Sequence, residues 1–154
     1  MRVEFRTSVV DARGGEAHAA TYLRKRKMVI EEALMADGEE FARIFVHELF
    51  HFVWLRLGNA RRRSYERVVA GELQRGVRGE MGWSAESRKR KLAGRDRTAR
   101  TRKWRDYCCE SFCDTAAWLY AGVRGHGEFT LAREAREGRR AWFARAGLDQ
   151  GVAI

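Results

Sequence analysis

No proline occurs among the 154 residues. At the ~5% share usual in soluble chains, that absence is a strong compositional bias. It removes the commonest helix breaker and leaves the turns to 15 glycines. Cysteine is nearly missing as well. Cys108, Cys109 and Cys113 are odd in number and clustered, which argues against a disulfide framework and predicts reduced thiols in the cytoplasm. No run approaches the ~18 apolar residues of a membrane span. The N-terminal MRVEFRTSVVDARGGEAH has no apolar stretch of signal-peptide length. Acidic charge is also short, with 21 Asp and Glu against 31 Lys and Arg.

What is present suits a folded domain. Hydrophobic residues make up 45%, and five Trp, eight Phe and four Tyr anchor a sizeable core, excluding wholesale disorder. The length fits one domain over residues 1–154. The net charge of +10 raises nucleic acid, an anionic surface or an acidic partner as candidates. That charge is not spread evenly. Residues 59–105 hold 16 Lys and Arg against 5 acids, and the remainder holds 15 against 16. A basic middle segment therefore sits in a nearly neutral body.

Patterning predicts an α+β fold, helix-rich with a short N-terminal sheet. Residues 2–10 are β-branched and aromatic enough for a strand, residues 12–18 turn, and residues 20–30 read as a second strand with a basic, exposed edge. Asp37 caps a helix running through FARIFVHELFHFVWLRL to a stop at Gly58 and Asn59. Ser64 is a candidate cap for a helix over 65–81. Residues 86–103 are almost devoid of apolar side chains and predict a solvated loop or frayed helix. A helix follows from Trp104 to Ala121, and Thr130 is a candidate cap for a last helix over 131–148.

The chemistry concentrates in the helix around residue 47. From Ile44 to Leu57 nearly every residue is apolar, and such a helix is buried. It nevertheless carries His47, Glu48 and His51, whose burial costs several kcal/mol (about 2–7 per unpaired group) without partners. His47 and His51 are one turn apart on one face and can bind a single ion about 2 Å from each. Glu48 lies about 100° round the helix, beside that ion and off it, where it can take a proton from water that zinc has acidified. This is the H-E-x-x-H pattern of zinc peptidases. A second apolar helix carries Glu110 and Asp114, again one turn apart. One can ligate the metal while the other orients a ligand histidine.

His47-Glu48-x-x-His51 followed by Glu110-x-x-x-Asp114 resembles the gluzincins, the thermolysin-like zinc peptidases. The 58 residues between His51 and Glu110 are similar to the neprilysin group in spacing. The overall size is similar to stand-alone minigluzincins and small bacterial zincin-like proteins. The resemblance covers residues 37–58 and 104–121. It implies a zincin-like fold with the sheet packed on the H-E-x-x-H helix and the basic 59–105 segment inserted between the two metal-site helices. It also implies one zinc per chain, His47, His51 and Glu110 as ligands, Glu48 as general base, and Asp114 orienting His47. Cys109 stands where gluzincins often carry Asn.

Cys113 competes for the third ligand position, and Cys109 with Cys113 makes a structural His₂Cys₂ site geometrically possible. The reaction also needs a donor for the developing oxyanion. Tyr107, one turn before Glu110, and His126, in the glycine-rich loop 122–127, are the candidates, with Tyr120 and Tyr65 behind them. The expected activity is hydrolysis of a peptide or protein substrate, including acidic ones steered by the basic segment, with extended substrate pairing to an edge within residues 20–30. The alternative is a nucleic-acid-binding module built on residues 59–105, with a structural or vestigial zinc site.

Overall fold

A computed structural model describes residues 1–10 and 14–149 and has the α+β fold the patterning predicts. Five short strands come first: β1 (Arg2–Arg6), β2 (Val9–Val10), β3 (Glu16–Ala17), β4 (Ala19–Tyr22) and β5 (Lys27–Glu31). Six helices follow: α1 (Gly38–Arg56), α2 (Gly58–Gln74), α3 (Trp83–Lys89), α4 (Gly94–Thr98), α5 (Arg102–Tyr120) and α6 (Arg133–Arg145). No helix among the described residues is long and apolar enough to cross a membrane.

The main sheet has the order β1-β5-β4, with β1 parallel and β4 antiparallel to β5. The single strand expected over 20–30 is two. Arg26 takes a left-handed conformation (φ +46°) after a 3-10 turn at Leu23–Lys25, and the chain reverses there. Charge alternation did not betray that turn because basic residues lie on both sides of it. β5 is central and its Met28, Val29 and Ile30 are buried, while β1 and β4 are the two edges. The turn expected over 12–18 falls partly on residues 12 and 13, outside the described residues. Beyond them, Gly14 is left-handed (φ +81°) and β3 pairs with β2.

Met28, Ile30 and Leu34 pack against Phe41, Ile44, Phe45 and Leu49, so the sheet lies on α1. Asp37 caps that helix as expected, its Oδ1 accepting from the N–H groups of Glu39 (3.1 Å) and Glu40 (3.0 Å). On its other side α1 packs along α5 more extensively than any other pair of elements meet. Phe50, Tyr65, Phe112, Trp142 and Phe143 form the centre of the larger core, with Phe112 and Phe143 stacked at 4.8 Å.

Three expectations fail. α1 stops at Arg56, but α2 begins at once at the left-handed Gly58 (φ +70°), so Ser64 lies inside a helix. Its hydroxyl accepts from Trp142 Nε1 (3.1 Å) instead of capping. Thr130 does not cap α6, whose flanking residue is Ala132. Thr130 Oγ1 bonds both the N–H and the carbonyl of Glu80, tying two loops together. Residues 86–103 are not a solvated loop. They form the end of α3 and all of α4, with Asp96 buried by its bonds to Ala93 N–H (2.8 Å) and Thr101 Oγ1 (2.7 Å). Arg88, Lys89, Arg90, Arg97 and Arg100 there are held by ion pairs and carbonyls, not by apolar burial, so apolar periodicity gave no sign of them.

Candidate metal centre

α1 and α5 bring their polar pairs face to face inside an apolar contact. His47 Nε2 lies 3.3 Å from Glu110 Oε2, and His51 Nε2 lies 4.0 Å from the same oxygen. The three ligand atoms stand within 4.8 Å of one another. Tetrahedral ligands ~2 Å from an ion are about 3.3 Å apart, so this donor set fits a small divalent cation with slight closing at His51. His47, His51 and Glu110 can therefore hold a metal ion.

The supporting contacts match that role. His47 Nδ1 lies 2.6 Å from Asp114 Oδ1, which fixes the ring with Nε2 toward Glu110. Asp114 is itself held, its Oδ2 accepting from Ala85 N–H (2.9 Å) at the start of α3. Gly82 packs so close that a Cβ there would stand 2.4 Å from Asp114 Cγ. Arg88, also on α3, places Nη2 3.0 Å from Glu110 Oε1, leaving Oε2 for the histidines.

The protonation balance follows from these contacts. Burial opposes the charge on His47, but the charge and hydrogen bond of Asp114, then Glu110 and Glu48, hold its pKa well above the usual histidine range. Burial likewise opposes His51, and Cys109, Glu110 and Glu48 overcome it, to about 9. Burial pushes Glu110 up, but His47, His51 and Arg88 draw it down to about 2. The cluster is strongly polarised, two cationic rings around an anionic carboxylate.

Glu48 is half-buried on the same helix. Its charge acts on both histidines, and its carboxylate accepts no hydrogen bond from any described residue. Its backbone carbonyl accepts from Thr21 Oγ1 (3.1 Å), which places the edge strand β4 beside it.

The two oxyanion-donor candidates lie elsewhere. Tyr107 is wholly buried and donates to Glu80 Oε1 (2.6 Å), in a network where Arg139 also binds Glu80 and Glu72. Tyr107 is one turn from Glu110, but its hydroxyl is turned to Glu80 in the segment between α2 and α3. His126 sits with Nε2 3.3 Å from Glu40 Oε2, and its Nδ1 accepts from Glu128 N–H. Neither reaches the histidine cluster. Tyr65 is buried on Ser111 and Thr115, and Tyr120 stacks on Phe50.

The α3 contributions, Gly82, Ala85 and Arg88, were not foreseen. A signal existed, because Met81, Ala85, Arg88 and Leu92 share one helical face at spacings of four, three and four. Cys109 and Cys113 do approach the site, but from the far side of His51. Each sulfur lies 3.5 Å from Nδ1. The Cys109 thiol is drawn down by hydrogen bonds from Cys113 and then His51, against burial.

No family model, curated protein or solved structure matches this chain.

Proposed function

We propose that this protein is a zinc-dependent peptidase-like hydrolase of the zincin type. One observation carries the reading: His47 Nε2, His51 Nε2 and Glu110 Oε2 converge, and Glu48, whose charge acts on both histidines, has a carboxylate that accepts no hydrogen bond from any described residue. Two imidazoles and a carboxylate are the donor set of catalytic zinc, which leaves one coordination position open. Zinc held there would supply Lewis acidity toward a carbonyl and toward water.

The chain's own residues do the rest. Glu48 takes the proton from attacking water and delivers it to the leaving amine. Asp114 accepts at Nδ1 and so fixes the His47 ring with Nε2 turned to the ligand cluster. Arg88 orients Glu110. β4, an outer strand of the sheet among the described residues, lies beside Glu48 and offers an edge on which an extended peptide can add as a strand. Tyr107 and His126 are engaged by Glu80 and Glu40, so neither is assigned the role of oxyanion donor.

The test is zinc content together with hydrolysis of a peptide library. Glu48→Gln should bind zinc at the wild-type stoichiometry and lose activity by ~10²–10⁴-fold, the usual contribution of a general base. Activity unchanged in Glu48→Gln would refute the assignment.

A nucleic-acid role keeps one specific support. Arg63, Arg67, Arg97 and Arg100 line a cavity of about 240 Å³ with Glu66 and Trp104. Against it, Arg100 is already held by Glu66 through two bonds of 2.6 Å, and Arg88, Lys89 and Arg90 pair with Glu110, Glu80 and Glu86. Filter binding of single- and double-stranded oligonucleotides at two salt concentrations separates the readings, since phosphate binding weakens steeply with salt.

A further inference from the structure

Helix α5 carries two ligand pairs at one-turn spacing, Glu110 with Asp114 and Cys109 with Cys113, about 100° apart around its axis. The first pair is engaged by His47. The second is not used by the proposed hydrolase. His51 lies between them, with Nε2 facing Glu110 and Nδ1 facing both sulfurs. The Nδ1 atom and the two Sγ atoms stand within 4.8 Å of one another. We propose that His51 Nδ1, Cys109 and Cys113 form a second metal site, selective for a thiophilic d¹⁰ cation, which competes with the His47–His51–Glu110 site for the shared imidazole.

The geometry favours chelation over a disulfide. Side chains one turn apart on a helix keep their Cβ atoms ~5–6 Å apart. A disulfide needs ~3.5–4.5 Å, so these thiols cannot join without breaking α5. They can both reach one ion. With metal–sulfur bonds of ~2.3 Å and a metal–nitrogen bond of ~2.0 Å, tetrahedral ligand atoms stand roughly 3.5–3.8 Å apart. The two sulfur–nitrogen distances are already 3.5 Å.

Donor softness sets the selectivity. Two sulfurs and one nitrogen can hold zinc but favour softer cations such as cadmium over it, while two nitrogens and a carboxylate oxygen favour zinc over those softer ions. Competition follows from the ring. A neutral imidazole has one lone pair, and its other nitrogen carries a proton. An ion on Nδ1 therefore leaves Nε2 protonated and withdraws His51 from the first set of ligands. Two thiol protons leave as the second site fills.

Cadmium(II) titration of the full chain tests this through the ultraviolet sulfur-to-cadmium charge-transfer band. Wild type should show the band, saturating at an equimolar ratio, and should release preloaded zinc to a chromophoric chelator. In zinc-free protein, His47→Ala/Glu110→Gln should keep the band. Cys109→Ser/Cys113→Ser should lose it and still bind zinc. Should the double serine variant misfold by circular dichroism, Cys109→Ser alone should diminish the band. Absence of the band in wild type, or its survival in Cys109→Ser/Cys113→Ser, overturns the second site. Zinc that stays bound while the band saturates overturns the competition, the one element that rests on the zinc reading above. Failure of Cys109→Ser/Cys113→Ser to bind zinc would count against the hydrolase and leave the cysteine site standing.

Discussion

His51 has only 16% of its side chain exposed, with Cys109, Cys113, Glu110 and Glu48 around it. Metal ligation needs this ring neutral, so protons and metal compete at it. With the histidine pKa values raised, one to about 9 and the other well above its usual value, both rings are cationic at pH 7 in metal-stripped protein. Zinc binding at pH 7 should therefore release about two protons. Titration calorimetry in two buffers of different ionisation enthalpy reads that number, and a value near zero would contradict it. The same shifts act on stability. A raised histidine pKa contributes stability that is complete below 6.5 and is lost as pH rises through about 9. Glu110, lowered to about 2, contributes stability present above 4.5 and lost as pH falls toward 2. Metal-stripped protein should accordingly melt lower at pH 9.5 than at pH 6, as a thermal scan at the two values would show. The candidate ligand residues were legible in the sequence because histidine and glutamate in largely apolar stretches are conspicuous. Tyr107 was misjudged because spacing gives one face of a helix but not its neighbour, and the neighbour here is the Glu80 carboxylate.

At the scale of elements, α1 and α5 were readable end to end. Each is long and apolar, and α1 has a side-chain cap at Asp37 where one was expected. α3 was missed, its sequence sign being only the face shared by Met81, Ala85, Arg88 and Leu92, although it does as much for the site. Its N-terminal Ala85 N–H holds Asp114, its Arg88 holds Glu110, and Gly82 just before it permits the approach. Such a helix docks through polar bonds to α5, which hydrophobic periodicity does not report. Gly82→Ala should displace Asp114 and weaken zinc binding by ~10–100-fold, the usual cost of losing an orienting partner. Competition against a chromophoric chelator measures it, and unchanged affinity would show that Asp114 does not depend on that contact. β4 and β5 were missed as separate strands for a related reason. The reversal lies at Arg26, a left-handed position occupied by a residue that seldom marks one.

Across the whole molecule, the basic segment is less an appendage than its charge suggested. It supplies Tyr65, Val69, Ala85 and Trp104 to the main core. Its Glu72 and Glu80 hold the fully buried Arg139 of α6, the nearest contacts being 2.6 and 2.7 Å. Removing Arg139 leaves two buried carboxylates short of their partner. Arg139→Met should cost ~3–5 kcal/mol, the range for breaking a buried ion pair. Urea denaturation would read it, and a loss below about 1 kcal/mol would mean that Lys89, Tyr107 and solvent compensate. The α+β class was legible from composition and patterning, and the placement of the sheet on α1 from the burial of that helix. The second use of the basic segment, as the shell that carries α3 against the site, was not, because it depends on ion pairs between residues far apart in sequence. The account as a whole rests on what ligates zinc. X-ray absorption on stoichiometrically zinc-loaded protein should show nitrogen and oxygen neighbours only, with the imidazole signature of His47 and His51. Sulfur in the shell would instead identify a site built on Cys109 and Cys113 and contradict the hydrolase reading.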